Sequence, residues 1–506
     1  MPTRSFDYAR ASASGVLLAL SFPRYGYPAI AWIALVPLLV ALSGSTLRRA
    51  FTLGLVTGVV FFAGTLYWIT RVMAVYGGLA TPVAVLVNAA LIGYLALFPG
   101  VFAILVRRLM LAQGPSALMA APLVWVATEL GRTYLLTGFP WVLLGYSQTS
   151  VLPIAQLASV FGVYGVSMLV AAGSAALAAF AIGPADARLF VRARPLLVVL
   201  VLVIGVAVWG SWRVAASEWT HTGQPIRVGL IQGNVDQAEK WDLQRAATIF
   251  EEYLRMTRQA IRDGAELVLW PESSTPFFFE QDRPGADQVR ALARQARVSI
   301  LFGSDQIERG VPNRYYNSAF LVGPDGTVGG VYRKMHLVPF GEYVPLPRLL
   351  FFAAPLTEQV GTFSPGLHAE LLPVNGHPVS VAICYEVVYP ALVRQFVAGG
   401  SELLTTITND AWFGPTSAPY QHFEQAAMRA IEEGRYLVRS ANTGISGIVD
   451  PYGRVLERTA VYQPAVVVGE ARFLLTSTFY TRHGDILAYA AAVVIAALLL
   501  LARRRA

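Results

Sequence analysis

The sequence predicts an integral membrane bundle of about eight α-helical spans joined to one large α/β domain outside the cytosol. Three observations lead there. Mean hydropathy is +0.51; 55% of the 506 residues are hydrophobic and only 14% are charged, against roughly 25% in soluble chains. Apolar stretches of about 20 residues, the length that crosses a bilayer, crowd the first 212 positions and recur at the C-terminal end. The intervening region, residues 213 to 483, is polar and alternates short β-rich runs with amphipathic segments.

Spans are expected near residues 27 to 43, 52 to 70, 81 to 106, 117 to 136, 152 to 182, 194 to 212 and 485 to 502. The stretch from Ala11 to Phe22 also has the length of a signal-peptide core, preceded by Arg4 and Arg10. Charge parity decides for a span. If the stretch crosses, the connections bearing Arg48/Arg49, Arg107/Arg108 and Arg188/Arg192/Arg194, together with the tail Arg503 to Arg505, all fall on one side with Arg4 and Arg10. The opposite short loops hold little beyond Arg24 and Arg71. The positive-inside rule then makes both termini cytoplasmic and puts the polar region on the other face, where chemistry proceeds without ATP. The expected domains are 1–212 (membrane helices), 213–483 (extracytoplasmic) and 484–506 (a last span with a basic tail).

Within the polar region, strands are expected at Ile226 to Ile231, Glu266 to Trp270, Val298 to Phe302, Ser318 to Val322, Val379 to Cys384 and Leu403 to Thr408. Helical patterns run from Leu243 to Arg262, Ala286 to Ala296 and Phe423 to Glu433. Such alternation predicts layered sheets and helices.

Composition also sets aside several functions. The net charge of +8 sits largely in short clusters beside apolar segments and forms no basic stripe interleaved with aromatics, so nucleic acid is not an expected partner. A single cysteine, Cys384, excludes an intrachain disulfide. The six histidines show no metal-ligand spacing, and neither a metal nor a cofactor is expected.

Three polar residues stand where a strand gives way to a loop, the edge at which α/β sheets display side chains. Glu272 follows Leu267-Val268-Leu269-Trp270 and a proline that ends the run. Lys334 lies in Tyr332-Arg333-Lys334-Met335-His336, after a short β-like segment. Cys384 closes an apolar strand and precedes a helical pattern, whose dipole would favour a thiolate. A thiol of ordinary pKa, about 8.5, needs a base or nearby positive charge to become a good nucleophile. Glu272 suits the base. Lys334 suits stabilisation of thiolate and oxyanion, with the Tyr385 amide as a second donor. Singly, each residue has an ordinary reading: a small core thiol, a solvated carboxylate, a surface cation.

Together with their flanks they carry a resemblance. Trp270-Pro271-Glu272, Tyr332-Arg333-Lys334 leading into Pro339-Phe340-Gly341-Glu342-Tyr343-Val344-Pro345, and Ile383-Cys384-Tyr385-Glu386 resemble, in order, the three signature regions of the nitrilase, or carbon-nitrogen hydrolase, superfamily. The resemblance covers about residues 226 to 470. It implies an αββα sandwich, a Glu272–Lys334–Cys384 catalytic triad, and a helper role for Glu342 in positioning the lysine or leaving group. Further matches at Gly138-Phe139-Pro140-Trp141, Gln232-Gly233-Asn234, Lys240-Trp241-Asp242 and Thr408-Asn409-Asp410-Ala411-Trp412-Phe413-Gly414, inside a chain rich in spans, are similar to the apolipoprotein N-acyltransferase family. That likeness adds Tyr385, Glu386, Trp241, Asn409 and Trp412 as supporting or substrate-binding candidates.

The likeness further implies a phospholipid acyl donor, a diacylglyceryl-modified apolipoprotein acceptor, ping-pong chemistry through a Cys384 thioester, and residence in a bacterial inner membrane with the catalytic domain in the periplasm. Water must be kept from a thioester, so an apolar lid is expected. The runs Phe277-Phe278-Phe279 and Leu349 to Pro355 suit either entry of acyl chains at the membrane interface or core packing. Glu129 and Arg132, one helical turn apart, suit either a headgroup contact or, more simply, a local ion pair. A membrane-tethered amidase or nitrilase with water as acceptor, and a catalytically inactive nitrilase-like scaffold, are the competing readings.

Overall fold

The computed structural model describes residues 4–183, 188–236, 243–344 and 362–505. Lys240, Trp241, Asp242 and the run from Leu349 to Pro355 lie outside them. The chain forms two compact units: residues 1–70, 82–216 and 483–506, and residues 71–81 with 217–482.

The first unit is helical. Five of its helices are long and apolar enough to cross a membrane, by length and composition, among the described residues: Leu47–Leu66, Thr81–Gln113, Ala158–Ile182, Leu189–Ala216 and Ile486–Arg505. The other expected spans take different forms. Arg4–Leu20 is a 17-residue helix. The region from 27 to 43 is broken into Pro28–Ala31 and Val36–Leu42. The region from 117 to 136 holds a short 3₁₀ stretch followed by the 14-residue helix Ala121–Tyr134. Prolines at Pro28, Pro37, Pro115 and Pro122 sit in the first turns of these pieces, where a missing N–H costs least, so they start short helices rather than extend long ones. Close approach holds the bundle together. A Cβ on Gly54 would stand 2.2 Å from the Pro99 carbonyl oxygen, so Leu47–Leu66 and Thr81–Gln113 meet backbone to backbone, as small residues permit between membrane helices.

Glu129 and Arg132 are both buried. The Glu129 Oε1 accepts the Leu144 N–H at 2.6 Å, while Arg132 donates to the carbonyls of Phe139, Trp141 and Val142 at 3.1, 2.6 and 3.4 Å. These side chains brace the turn after their own helix. Both charges are thus held by backbone groups within the helical unit.

The second unit contains two six-stranded sheets. The first has the order β12-β1-β2-β3-β4-β5, built from β1 (Gln224–Gln232), β2 (Leu267–Leu269), β3 (Ser299–Glu308), β4 (Arg314–Val322), β5 (Val328–Arg333) and β12 (Ala465–Phe473). The second has the order β11-β10-β9-β8-β7-β6, from β6 (Leu372–Val374), β7 (His377–Ile383), β8 (Leu403–Thr408), β9 (Leu437–Ala441), β10 (Gly447–Val449) and β11 (Val455–Arg458). In each sheet three neighbouring strands are parallel, β1-β2-β3 and β7-β8-β9, with antiparallel flanks. The two sheets thus share one pairing pattern, and β12 from the far end of the unit fills in the first the place that β6 fills in the second. No sequence repeat announces this likeness.

Layering follows from burial on both faces. Helices α1 (Leu243–Arg262) and α2 (Arg283–Ala296) present Phe250, Tyr253, Leu254, Val289 and Ala293 to Val268, Trp270, Ile300 and Phe302 of the first sheet. The alternate strand residues Val228, Leu230, Leu267, Leu269, Leu301 and Leu321 are fully buried too, and strand alternation turns them to the second sheet. The second sheet is covered in turn by α3 (Pro390–Ala398) and α4 (Ala418–Glu433). Strands buried on both faces read as unbroken apolar runs. The result is the expected αββα order, with more strands than the six expected: β1, β3, β4 and β7 run longer than expected, β8 matches and β2 is shorter.

Candidate active site

The chemistry-bearing residues collect beyond the carboxyl ends of strands, three of them parallel and one, β5, in an antiparallel flank. Glu272 follows β2, Lys334 follows β5, Cys384 follows β7 and Asn409 follows β8. All four are buried.

Lys334 is the hub. Its Nζ lies 3.2 Å from the Glu272 Oε1 and 2.9 Å from the Glu342 Oε1, with its side chain 1% exposed. Burial alone would strip this ammonium of its proton, yet the carboxylates of Glu342 and Glu272 outweigh it and push the lysine pKa well above its ordinary value. Asn317, on β4, donates its Nδ2 hydrogens to the same two oxygens, at 2.7 Å to Glu272 and 2.9 Å to Glu342. The other oxygens are held by backbone: the Asn409 N–H reaches the Glu272 Oε2 at 2.9 Å and the Val338 N–H reaches the Glu342 Oε2 at 2.7 Å. Two carboxylates share one cation and one amide, an arrangement that fixes Glu272 with little freedom to turn.

Cys384 adopts a left-handed backbone, φ 52°, a conformation costly for a side chain with a Cβ and found where surroundings enforce it. It opens a five-residue 3₁₀ turn, Cys384–Val388, rather than an α-helix. The expected stabilisation of a resting thiolate does not follow. Burial first, and the Glu272 charge second, push the Cys384 thiol well above its ordinary range, with Lys334 acting in the opposite sense. A thiol so raised is protonated at rest, and any reaction through the sulfur has to remove that proton.

Glu386 ties the cysteine turn to the lysine loop. Its Oε1 accepts the Tyr332 hydroxyl at 2.7 Å and the N–H groups of Met335 and His336 at 2.7 and 3.0 Å; its Oε2 accepts the Ile383 N–H at 2.7 Å. Burial pushes this carboxyl up to about 7. The supporting candidates divide accordingly. Glu342 and Asn409 bond within the cluster, whereas Glu386 braces the segments on either side of it. Tyr385 receives the Tyr389 hydroxyl at 3.0 Å and lies tilted beside His336, whose imidazole burial and Lys334 hold down to about 4. Trp412 packs edge-on against Tyr76, 5.1 Å between centroids. Phe277 and Phe279 pack with Phe250, Phe302 and Phe320, which is core packing.

Asn317 was not anticipated, although a lone amide in the apolar strand that precedes Ser318 is the kind of residue a strand interior disfavours. His422 and Arg439 were missed as well. Among the described residues no group of three or more His, Cys, Asp or Glu is placed to hold a metal.

Comparison with known proteins agrees with this division of the chain. Residues 14–176 match the model described as apolipoprotein N-acyltransferase N-terminal domain, and residues 227–472 match that of carbon-nitrogen hydrolase. An apolipoprotein N-acyltransferase of Geobacter metallireducens is 44% identical over 99% of this chain and 96% of its own length. That of Methylococcus capsulatus is 34% identical over 98% and 96%. Among solved structures, an amidase from Nesterenkonia sp. is 22% identical over 53% of this chain and 97% of its own, with a TM-score of 0.40. With both domain models matched in order and relatives similar over almost the entire length, the chain belongs to the apolipoprotein N-acyltransferase family.

Proposed function

We propose that this protein moves one acyl chain from a membrane phospholipid to the terminal amine of a diacylglyceryl-modified apolipoprotein, through a thioester on Cys384. The observation that carries the reading is the buried Glu272–Lys334–Glu342 cluster beside a buried, left-handed Cys384, in a chain whose described residues also hold five helices of membrane-crossing length. Glu272 takes the thiol proton as the sulfur attacks the ester carbonyl carbon. The oxyanion of the tetrahedral intermediate is stabilised by the Lys334 ammonium and the Tyr385 amide. The intermediate collapses, the proton on Glu272 passes to the departing alkoxide, and a lysophospholipid leaves. In the second half the acceptor amine attacks the thioester carbon, Glu272 receives an amine proton and returns it to the cysteine sulfur, and the N-acyl product departs. Glu342 holds Lys334 in place for both halves.

The membrane reading is part of the same proposal. Eight crossings, three of them made by the shorter or broken helices between residues 4 and 134, leave both termini and the arginine-rich connections in the cytoplasm and the catalytic unit on the periplasmic face of a bacterial inner membrane. The run from Leu349 to Pro355, expected to admit acyl chains or to pack in the core, lies outside the described residues.

Intact-mass analysis after incubation with phospholipid alone tests the scheme. A hydroxylamine-sensitive gain of one acyl chain is expected in the wild type and not in Cys384→Ala. Intact phospholipid with no gain in mass would point instead to an amidase or a scaffold.

A further inference from the structure

Behind the nucleophile stands a buried charged network that the scheme above does not use. The His422 Nε2 lies 3.1 Å from the carbonyl oxygen of Cys384 itself. On the far side of the ring, Nδ1 lies 3.0 Å from the Asp410 Oδ1 and 3.0 Å from the Arg439 Nη2. Arg439 also donates to the Asp410 Oδ2 at 3.0 Å and to the Ile445 carbonyl at 3.2 Å, and the Thr408 hydroxyl donates to the Asp410 Oδ1 at 2.9 Å. His422, Asp410 and Arg439 are all 0% exposed.

The partners assign the proton. A carbonyl oxygen only accepts, so Nε2 carries the hydrogen toward Cys384. On the other side Nδ1 faces both the Asp410 carboxylate and the Arg439 guanidinium, which together hold the ring in one orientation. Burial first, and Arg439 second, hold the imidazole pKa down against the pull of Asp410.

Resting on the reading of Cys384 as nucleophile, we propose that His422 is a positioning residue for it: the Nε2–H bond pins the carbonyl of the left-handed Cys384 backbone and so aims the sulfur, with Asp410 and Arg439 fixing the ring. The adjacent peptide does the same for the base. Asn409 fixes Glu272 through its N–H, so neighbouring residues of one loop orient the two groups that exchange the proton. A packing residue would bury its ring here without presenting a polar edge to the one carbonyl whose angle sets the nucleophile.

The test is the single-turnover rate of Cys384 acylation by dioleoyl phosphatidylglycerol, followed by intact mass on the full chain in detergent, together with the lipid concentration giving half-maximal rate. His422→Phe is expected to slow acylation about 10- to 100-fold, the scale of a misplaced reacting group, with half-saturation unchanged. His422→Gln, which keeps an N–H donor, is expected to recover most of the rate. A wild-type rate in His422→Phe overturns the proposal, as does equal slowing of both variants in step with lowered melting temperature. If His422→Phe does not fold, Asp410→Asn is read by the same two criteria. Acylation persisting in Cys384→Ala would instead sink the nucleophile assignment on which this one rests.

Discussion

Glu386 shows how one buried carboxylate sets both stability and chemistry. It receives four hydrogen bonds that span the lysine loop and the cysteine turn, and burial raises its pKa from 4.5 to about 7. The two consequences have opposite signs. Because the folded state binds this proton more tightly than the unfolded chain, the linked stability is fully present below about pH 4.5 and is lost as pH rises through about 7. Function runs the other way, since protonation places an O–H where an oxygen must accept an N–H. Wild-type kcat/KM is therefore expected to fall as pH drops through about 7. Glu386→Gln is expected to lose that limb and about 10- to 100-fold in kcat, the cost of one reversed buried hydrogen bond. A pH–rate profile of Glu386→Gln that keeps the wild-type acid limb would assign the limb to another group.

At the scale of elements, the turn that carries Glu272 is shaped by the strand beside it. Gly303 of β3 accepts the Ser274 N–H at 2.8 Å and donates to the Pro271 carbonyl at 3.2 Å. A Cβ on Gly303 would stand 2.3 Å from the Ser273 nitrogen and 2.7 Å from the Glu272 Cα. Both are backbone atoms and cannot rotate away. Gly303→Ala is thus expected to push the base off Lys334, lowering kcat about 100-fold and stability by about 1 to 3 kcal/mol. Steady-state rates and thermal melts check this; unchanged kcat would show that the turn relaxes without moving the carboxylate.

For the whole molecule, the proposed orientation is open to labelling. Cys384 is the single cysteine, so a Cys384→Ala background can carry one reporter thiol at a time. Val311, at the tip of the β3–β4 hairpin, is fully exposed, and Arg503 lies in the basic tail. In intact cells with a permeabilised outer membrane, an impermeant maleimide is expected to label Val311→Cys and to spare Arg503→Cys until the inner membrane is broken. The reverse pattern would invert the topology while leaving the fold untouched. In the proposed arrangement, a thioester made on the periplasmic face would draw its energy from a phospholipid ester rather than from ATP.

The sequence by itself determined the two-part architecture, the α/β alternation and the triad candidates Glu272, Lys334 and Cys384. Long-range order was not needed for those, since hydropathy, strand periodicity and three motifs are local properties that survive in a linear string. Only the tertiary structure decided what surrounds the triad. Asn317, His422 and Arg439 lie on separate elements and meet the site through folding, so no spacing announces them. Arg439 is the clearest case: a charged residue in mid-strand hides β9 from an apolar pattern, and it is tolerated because Asp410, His422 and the Ile445 carbonyl stand where the folded chain puts them. The protonation of Cys384 likewise depended on burial and on the Glu272 charge, quantities that exist only once the sheets have packed.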